Sequence, residues 1–337
     1  MKLKPVLAVA LVALAAVSGC SRAGSTAEGS SQDKGPAAEV RLGYFPNVTH
    51  AAALIGVEKE LFKKELGNTK LTTQTFNAGP DEVNALLGES LDIAYIGSGP
   101  AINAFSKSKG EAVRLVAGAT SGGAQLVVQP DIKSVEDLKG KTIATPQLGN
   151  TQDVALKKWL SDNKLTDQVK ITNVENAQAL DLFKKGEIQA GWLPQPWSAR
   201  LVNDAGAKVL LDEKTLWEGG KFPTTVIIVR TKFLQEHPQT VEAVLKGHLA
   251  AIDWAKANSA DAKTTVNAAL EKLTSKKLGA AVLDAAWDNI ELTTDPQAKL
   301  FPRLAQDAVT AGVAKEAANV AGFEDLALLN KITGSTK

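Results

Sequence analysis

The sequence predicts an α/β protein of two lobes, and three observations support this prediction. From Val40 onward, short strand-like runs alternate with helical patterns, which is typical of strands separated by crossover helices. The alternation forms two series, one before about residue 125 and one after about residue 130. A β-branched run at 225–229 lies where the chain could return to the first series, and almost only helical patterns follow Phe233.

The predicted strands define the two lobes. The first series has strands at 40–44, 71–76, 91–96 and 113–117, and the second at 141–144, 169–174, 188–192 and 209–211. We therefore expect lobe 1 at residues 40–127 plus 227–337, including a helical C-terminal segment, and lobe 2 at residues 128–226. The two crossings between the lobes would act as hinges.

The N-terminal segment predicts where the protein is located. Lys2 and Lys4 precede an unbroken apolar run at 6–17, which has the length of a signal sequence and is too short for a permanent transmembrane helix. Val17-Ser18-Gly19-Cys20 resembles the lipobox of bacterial lipoproteins. We expect a signal peptide at 1–19, a lipidated Cys20 and a flexible tether through residue 39, which would anchor the folded body outside the cytoplasmic membrane.

Composition excludes several classes of function. The net charge of +1 provides no electrostatic footprint for nucleic acid. Cys20 is the only cysteine, so thiol chemistry and disulfides are not expected in the body, and three scattered histidines have no metal-ligand spacing. Neither a G-x-S-x-G elbow nor an H-E-x-x-H pair occurs. We expect no enzymatic activity, cofactor or metal.

Polar loops at the ends of predicted strands indicate a binding site. In open α/β sheets, ligands bind beyond the carboxyl ends of strands. The corresponding loops here are 44–50, 77–81, 97–100, 119–123 and 145–152, and none contains Lys or Arg. An anion would therefore be held by backbone amides at helix starts and by hydroxyl groups. The hydroxyl candidates are Thr49, Ser98, Thr120, Ser121 and Thr151.

Two acidic residues, one in these loops and one just after them, leave the kind of anion open. A sulfonate suits a donor-only site because it carries no proton at pH 7. A protonated phosphate or phosphonate would also need an acceptor, which Asp81 or Asp153 could supply. The same carboxylates could instead meet an amine, as in taurine, or could simply favour the first turn of a helix.

Aromatic residues and His50 have two interpretations. Tyr44, Phe45, Tyr95, Trp192 and Trp197 could form a wall of the cleft against an alkyl chain, or belong to the core. His50 could donate to an anion or have a structural role just inside a helix.

Several motifs resemble a known family. They are 43–50 (GYFPNVTH), 76–80 (FNAGP), 91–100 (LDIAYIGSGP), 135–144 (VEDLKGKTIA) and 148–151 (LGNT). Over roughly 40–255 the chain is similar to the periplasmic-type binding proteins for sulfonates, taurine and nitrate, whose fold is the type II solute-binding fold. The resemblance implies a monomer that captures a small-molecule anion and delivers it to an ABC permease coupled to an ATPase.

The resemblance leaves the ligand and one contact open. An aliphatic sulfonate or taurine is the leading expectation, with nitrate, a thiamine-precursor-like compound, or an enzyme of the same fold as alternatives. Gln195 stands where many relatives carry an acidic residue before the proline. The predicted ligand-binding residues are Tyr44, Phe45, Asn47, Thr49, His50, Gly79, Ser98, Gly99, Thr120, Ser121, Asn150, Thr151, Trp192 and Gln195.

Overall fold

The computed structural model describes residues 32–335. The predicted signal peptide, the lipidation site Cys20 and the tether up to residue 31 lie outside the described residues. Within the described part of the chain, no helix combines the length and the apolar character needed to cross a bilayer.

Strands and helices alternate through most of the described chain. The strands are β1 Glu39–Tyr44, β2 Lys70–Thr75, β3 Ile93–Ile96, β4 Val113–Gly122, β5 Ala124–Val128, β6 Thr142–Thr145, β7 Lys170–Asn173, β8 Ala190–Pro194, β9 Lys208–Asp212, β10 Pro223–Arg230 and β11 Ile290–Leu292. The helices are α1 Ala51–Glu58, α2 Leu61–Leu66, α3 Gly79–Leu87, α4 Ser98–Lys107, α5 Thr151–Asp162, α6 Asn176–Lys184, α7 Trp197–Ala205, α8 Thr231–Glu236, α9 Pro238–Ala257, α10 Ser259–Thr274, α11 Ala280–Asp288, α12 Phe301–Thr310 and α13 Ala327–Thr333.

Lobe 1 is built on a six-stranded sheet in the order β11-β4-β10-β3-β1-β2. β1 pairs in parallel with β2 and β3, whereas β10 runs antiparallel between β3 and β4. Successive strand residues face opposite sides, so Val40, Leu42 and Tyr44 pack into one core cluster. A second cluster covers the other face around Ile96 and Phe105, which buries the sheet between two layers of helices.

Lobe 2 is built on a five-stranded sheet in the order β7-β6-β8-β5-β9. β6 pairs in parallel with β7 and β8, and β5 runs antiparallel between β8 and β9. One core cluster surrounds Trp159 and Trp192, whose ring centroids are 6.0 Å apart, and the other surrounds Phe183. Two apolar layers thus cover this sheet as well.

The two crossings lie earlier in the chain than the predicted boundaries. β5 belongs to the second sheet, so the chain leaves lobe 1 at Gly122-Gly123, where both residues have the positive φ that glycine tolerates. The chain has returned to the first sheet by Pro223, at the start of β10. The hydrophobic pattern of a buried strand is the same in either sheet, so it could not determine to which lobe β5 belongs.

The C-terminal segment belongs to lobe 1 and is not wholly helical. Helix α9 packs on α1 and α2, and α12 packs on both α4 of lobe 1 and α5 of lobe 2. The short strand β11 adds an edge to the first sheet by pairing antiparallel with β4. Three residues are too few for a readable alternation, so only tertiary pairing identifies this strand.

Candidate functional site

A small cleft lies between the lobes at the carboxyl ends of the parallel strands. Its volume is about 20 Å³. Both lobes contribute to its lining, which consists of Phe45, Asn47, Thr49, His50, Asn77, Gly97, Asn150, Thr151, Gln152, Asn176, Pro194, Thr224 and Thr225. None of these residues is Asp, Glu, Lys or Arg. The polar atoms of the cleft are therefore hydroxyl, amide, imidazole and backbone groups.

The segment after β1 forms one wall of the cleft and contains a neutral histidine. The imidazole Nδ1 of His50 accepts a hydrogen bond from the Phe45 backbone N–H at 3.2 Å, which leaves Nε2 as the protonated nitrogen. The two rings pack with centroids 4.4 Å apart. Burial lowers the pKa of His50 to about 3, because an imidazolium would lose its hydration. His50 can therefore act as a donor without adding charge.

Two helix N-termini meet at the cleft from opposite lobes. Helix α4 of lobe 1 begins at Ser98, and α5 of lobe 2 begins at Thr151 after the capping side chain of Asn150. The backbone N–H of Gly99 donates to Thr151 Oγ1 at 3.2 Å across the lobes. The first turns of both helices have N–H groups without partners inside the helix, so both favour an anion here.

Further hydrogen bonds hold the lobes together around the cleft. The indole Nε1 of Trp197 donates to Asn47 Oδ1 at 2.7 Å, and Gln147 Nε2 donates to Asp81 Oδ2 at 3.0 Å. On a third side, Gln195 Nε2 donates to Asn289 Oδ1 at 3.3 Å. The lobes are thus in contact at several points around the cleft.

A larger cavity shares the lining residue Thr151 with the cleft, and we call it the α4–α5 cavity. It has a volume of about 170 Å³ and is lined by residues of both lobes, including Ser98, Gly99, Thr151, Glu213 and Trp217. Thr151 lines both the cleft and this cavity. The hydroxyl of Ser98 is buried there without a hydrogen-bond partner.

The structure places eight of the fourteen predicted ligand-binding residues in the two spaces. Phe45, Asn47, Thr49, His50, Asn150 and Thr151 line the cleft, and Ser98 and Gly99 line the α4–α5 cavity together with Thr151. Six others line neither space: Tyr44, Gly79, Thr120, Ser121, Trp192 and Gln195.

Two of the predicted aromatic residues lie in the cores and line neither space. Tyr44 points into the lobe 1 core, whereas its neighbour Phe45 reaches the cleft. Trp192 is fully buried in the lobe 2 core, and Pro194 at the end of the same strand lines the cleft instead. Tyr95 is also a core residue, and its hydroxyl is 2.9 Å from His248 Nδ1.

The other four predicted residues that line neither space use their side chains or backbone in structural contacts. Thr120 Oγ1 donates to the Thr49 carbonyl at 2.6 Å, and Ser121 Oγ accepts from the Phe222 N–H at 3.2 Å. Gly79 lies so close to the ring of Pro100 that no side chain fits there. Gln195 caps the next helix, because its Oε1 accepts from the Ala199 N–H at 3.2 Å.

Neither acidic residue considered in the sequence lines the cleft. The Asp153 carboxylate is fully buried and accepts hydrogen bonds from Thr145, Gly149, Lys157 and Asn173, so it organises the loop before α5. Asp81 is exposed and bonds to Gln147 of the other lobe.

Several residues of the two spaces were missing from the sequence prediction. Asn77, Gly97, Gln152, Asn176, Pro194, Thr224 and Thr225 line the cleft. Most follow the carboxyl end of a strand, so the rule used for the other loops applies to them. Thr224 and Thr225 come from the start of β10, which reaches the same edge because it runs antiparallel. Glu213, in the α4–α5 cavity, also follows the carboxyl end of a strand, because β9 ends at Asp212.

A metal centre has no candidate ligands in the described chain. Across residues 32–335, no three His, Cys, Asp or Glu side chains converge in a way that could hold a metal ion. The chemistry available at the cleft is hydrogen bonding by neutral donors.

Comparisons with known proteins agree with this architecture. Residues 33–270 match the NMT1-like family. The taurine-binding periplasmic protein of Escherichia coli (strain K12) is 31% identical over 188 residues, which cover 55% of this chain and 57% of that protein. The chain thus matches a little over half the length of this relative.

Two solved structures share the fold at low sequence identity. The alkanesulfonate-binding protein from Xanthomonas axonopodis pv. citri bound to MOPS has a TM-score of 0.73 at 20% identity, covering 86% of this chain and 98% of that one. The periplasmic nitrate-binding protein from Synechocystis PCC 6803 has a TM-score of 0.71 at 16% identity, covering 89% of both chains. With its two-lobed periplasmic-binding-protein fold and its match over residues 33–270, the chain belongs to the NMT1-like family.

Proposed function

We propose that this protein is the extracytoplasmic solute-binding component of an ABC importer and that it binds a small organic anion between its lobes. An aliphatic sulfonate or taurine is the leading ligand. The observation that carries the proposal is the cleft itself, where neutral donors from both lobes and two helix N-termini converge. The names of the taurine-binding and alkanesulfonate-binding proteins support the same ligand class.

The donor set favours an anion that is ionised at every physiological pH. Helix N-termini and hydroxyl groups stabilise negative charge without a cationic side chain. A sulfonate accepts hydrogen bonds on all its oxygens and carries no proton that would need an acceptor. The cleft lining contains no carboxylate, so a protonated phosphate would find no side-chain carboxylate there.

Binding, and not turnover, is the activity we propose. His50 is the only ordinary proton-transfer side chain in the cleft lining. Its Nδ1 is occupied by the Phe45 N–H, and its pKa of about 3 makes it a poor general base near pH 7. Mass spectrometry of a bound ligand after prolonged incubation tests this point, because chemical conversion would contradict it.

We also propose that Cys20 anchors the protein to the membrane and that the body acts as a monomer beside its permease and ATPase. The proposal rests on the lipobox-like sequence Val17-Ser18-Gly19-Cys20. Replacement Cys20→Ala should move the protein from the membrane fraction to the soluble fraction of expressing cells. Ser21→Ala is the matched control and should leave the protein with the membrane.

A thermal-shift panel tests the ligand class. The chain from Gln32 onward forms one compact unit and provides the material. The panel contains taurine, ethanesulfonate, longer alkanesulfonates, sulfate, nitrate, a phosphonate and a pyrimidine. A ligand present at 100 times its Kd should add about 2.7 kcal/mol to the free energy of unfolding. No response to any sulfonate would contradict the leading assignment.

Nitrate is the second candidate, and the size of the cleft favours it. A volume of about 20 Å³ is only slightly more than one water molecule requires, so the cleft in this arrangement suits a very small anion. A sulfonate would use the adjoining α4–α5 cavity for its organic group, whereas nitrate would not. Stabilisation by nitrate without stabilisation by sulfonates would therefore select the second candidate.

A further inference from the structure

We propose that Glu213 binds a positively charged amino group of the ligand in the α4–α5 cavity, so that the protein prefers zwitterionic amino-sulfonates over simple alkanesulfonates. The inference deepens the proposed function and rests on it. It assigns a role to a residue that lies in the cavity and takes no part in the cleft.

The Glu213 carboxyl group is buried without a cationic partner among the described residues. Glu213 follows β9, and its side chain is 1% exposed. Neither of its oxygens makes a hydrogen bond of normal geometry, and neither does the indole Nε1 of Trp192. This indole is nevertheless placed to interact with the carboxyl group, and it favours the charged form of the acid. A buried carboxylate is costly unless it is paired with a cation, and a cationic ligand would supply that pairing.

No free cation lines this cavity in the part of the chain that the structure describes. Lys158 and Arg303 are the only basic residues that line the cavity, among the residues described. Lys158 pairs with Asp162, whereas Arg303 lies 3.8 Å from Asp307 and stacks on Trp217 at 3.9 Å. Both basic groups are thus engaged with other residues of the cavity rim.

The walls around Glu213 make a cationic ligand the fitting partner. Ile102, Val154, Trp159 and Phe222 contribute apolar surface to the cavity. Desolvation by this surface, together with the neighbouring charge of Asp212, raises the pKa of Glu213 to about 8. An ammonium group in the cavity would restore the charged form, because a buried carboxylate is stable when it is paired and hydrogen-bonded.

The lining of the same cavity also includes hydrogen-bond donors for the anionic end of such a ligand. The Ser98 hydroxyl is fully buried there without a partner, at the start of α4. Thr151, at the start of α5, lines the same cavity and also the cleft. Donors for an anion and an acceptor for a cation therefore face one cavity of about 170 Å³.

Isothermal titration of the full-length protein with three matched sulfonates tests the inference. Taurine carries an ammonium group, isethionate a hydroxyl group in its place, and ethanesulfonate neither. Wild type should bind taurine at least tenfold more tightly than ethanesulfonate. Glu213→Gln should abolish this preference and change ethanesulfonate affinity by less than about threefold. Glu218→Gln is the matched control, since Glu218 is exposed and outside the cavity, and it should retain the preference.

The outcomes separate failure of the inference from failure of the proposed function. Equal affinity of wild type for taurine and ethanesulfonate, or a preference that survives in Glu213→Gln, would overturn the inference and leave sulfonate binding intact. If wild type binds no sulfonate but binds β-alanine or 2-aminoethylphosphonate through Glu213, the inference stands and the sulfonate assignment fails. If none of these compounds binds, both fail. Circular dichroism confirms that each variant is folded.

Discussion

The indole of Trp197 in lobe 2 donates a 2.7 Å hydrogen bond to the Asn47 side chain in lobe 1. Both residues are buried, and Asn47 also lines the cleft. Trp197 begins α7, whereas Asn47 lies in the loop between β1 and α1. The same amide therefore belongs to the wall of the cleft and to the contact that holds the lobes together.

Replacement Trp197→Phe should loosen the closed arrangement. It keeps most of the apolar surface but leaves Asn47 Oδ1 without its donor, which should lower the free energy of unfolding by about 1–2 kcal/mol. Small-angle scattering of the ligand-free variant should show a larger radius of gyration than that of wild type. Trp254→Phe is the control, because Trp254 packs against the lobe 1 core. Unchanged scattering and stability in Trp197→Phe would contradict this role.

A methyl group at Gly97 should keep the lobes apart. A Cβ atom at this position would collide with Thr151 Oγ1 of the other lobe, although the backbone of Gly97 is compatible with alanine. Gly97→Ala should therefore weaken sulfonate binding at least tenfold, since closure around the ligand is impeded. Titration calorimetry measures the effect.

Two further variants identify the cause of that loss. Gly279→Ala should leave affinity unchanged, because Gly279 is exposed and has no atom within reach of an added Cβ. The double variant Gly97→Ala, Thr151→Ala removes the collision and should bind more tightly than Gly97→Ala alone. If the double variant binds more weakly, then loss of a hydrogen bond, and not steric obstruction, explains the effect.

The parts of the site that the sequence predicted are marked by turn-forming residues at the ends of strands. Phe45, Thr49 and Thr151 follow short apolar runs that end in loops of small polar residues, and this pattern marks the carboxyl end of a strand wherever the strand lies in the sheet. The sequence does not show which residues of a strand belong to the core and which reach the cleft. Trp192 is two residues before Pro194, and both faces of β8 are buried, so hydrophobicity could not distinguish core from cleft.

Glu213 shows why the rest of the site could not be predicted. In the sequence it is one of several acids in the polar stretch after β9, where an exposed position is the ordinary expectation. The cavity that it lines is formed by residues from both lobes, which meet only in the folded structure. The same is true of β11, whose pairing with β4 comes from a separation of well over a hundred residues. Long-range packing leaves no periodic signal.

The buried Glu213 should make stability depend on pH. Its pKa is raised from 4.5 to about 8, so the unfolded chain loses this proton at lower pH than the folded protein does. The protonated Glu213 therefore contributes to the free energy of unfolding fully below about pH 4.5. This contribution is lost as pH rises toward 8, at up to about 1.4 kcal/mol per pH unit. Glu213→Gln cannot ionise and should be more stable than wild type by an amount that grows over this range. Urea unfolding at pH 4.5, 6 and 8 measures the difference, and a difference that does not vary with pH would contradict the assignment.

Binding of taurine should release a proton from Glu213. At pH 7 a carboxyl group with a pKa of about 8 is roughly 90% protonated, and an ammonium partner would favour its charged form. Calorimetry in two non-sulfonate buffers of different ionisation enthalpy should therefore show release of nearly one proton per taurine. Since the complex holds fewer protons than the free protein, taurine affinity should rise between pH 6 and pH 8. Ethanesulfonate should show no release, and Glu213→Gln should show none with either ligand; proton release that persists in the variant would assign it to another group.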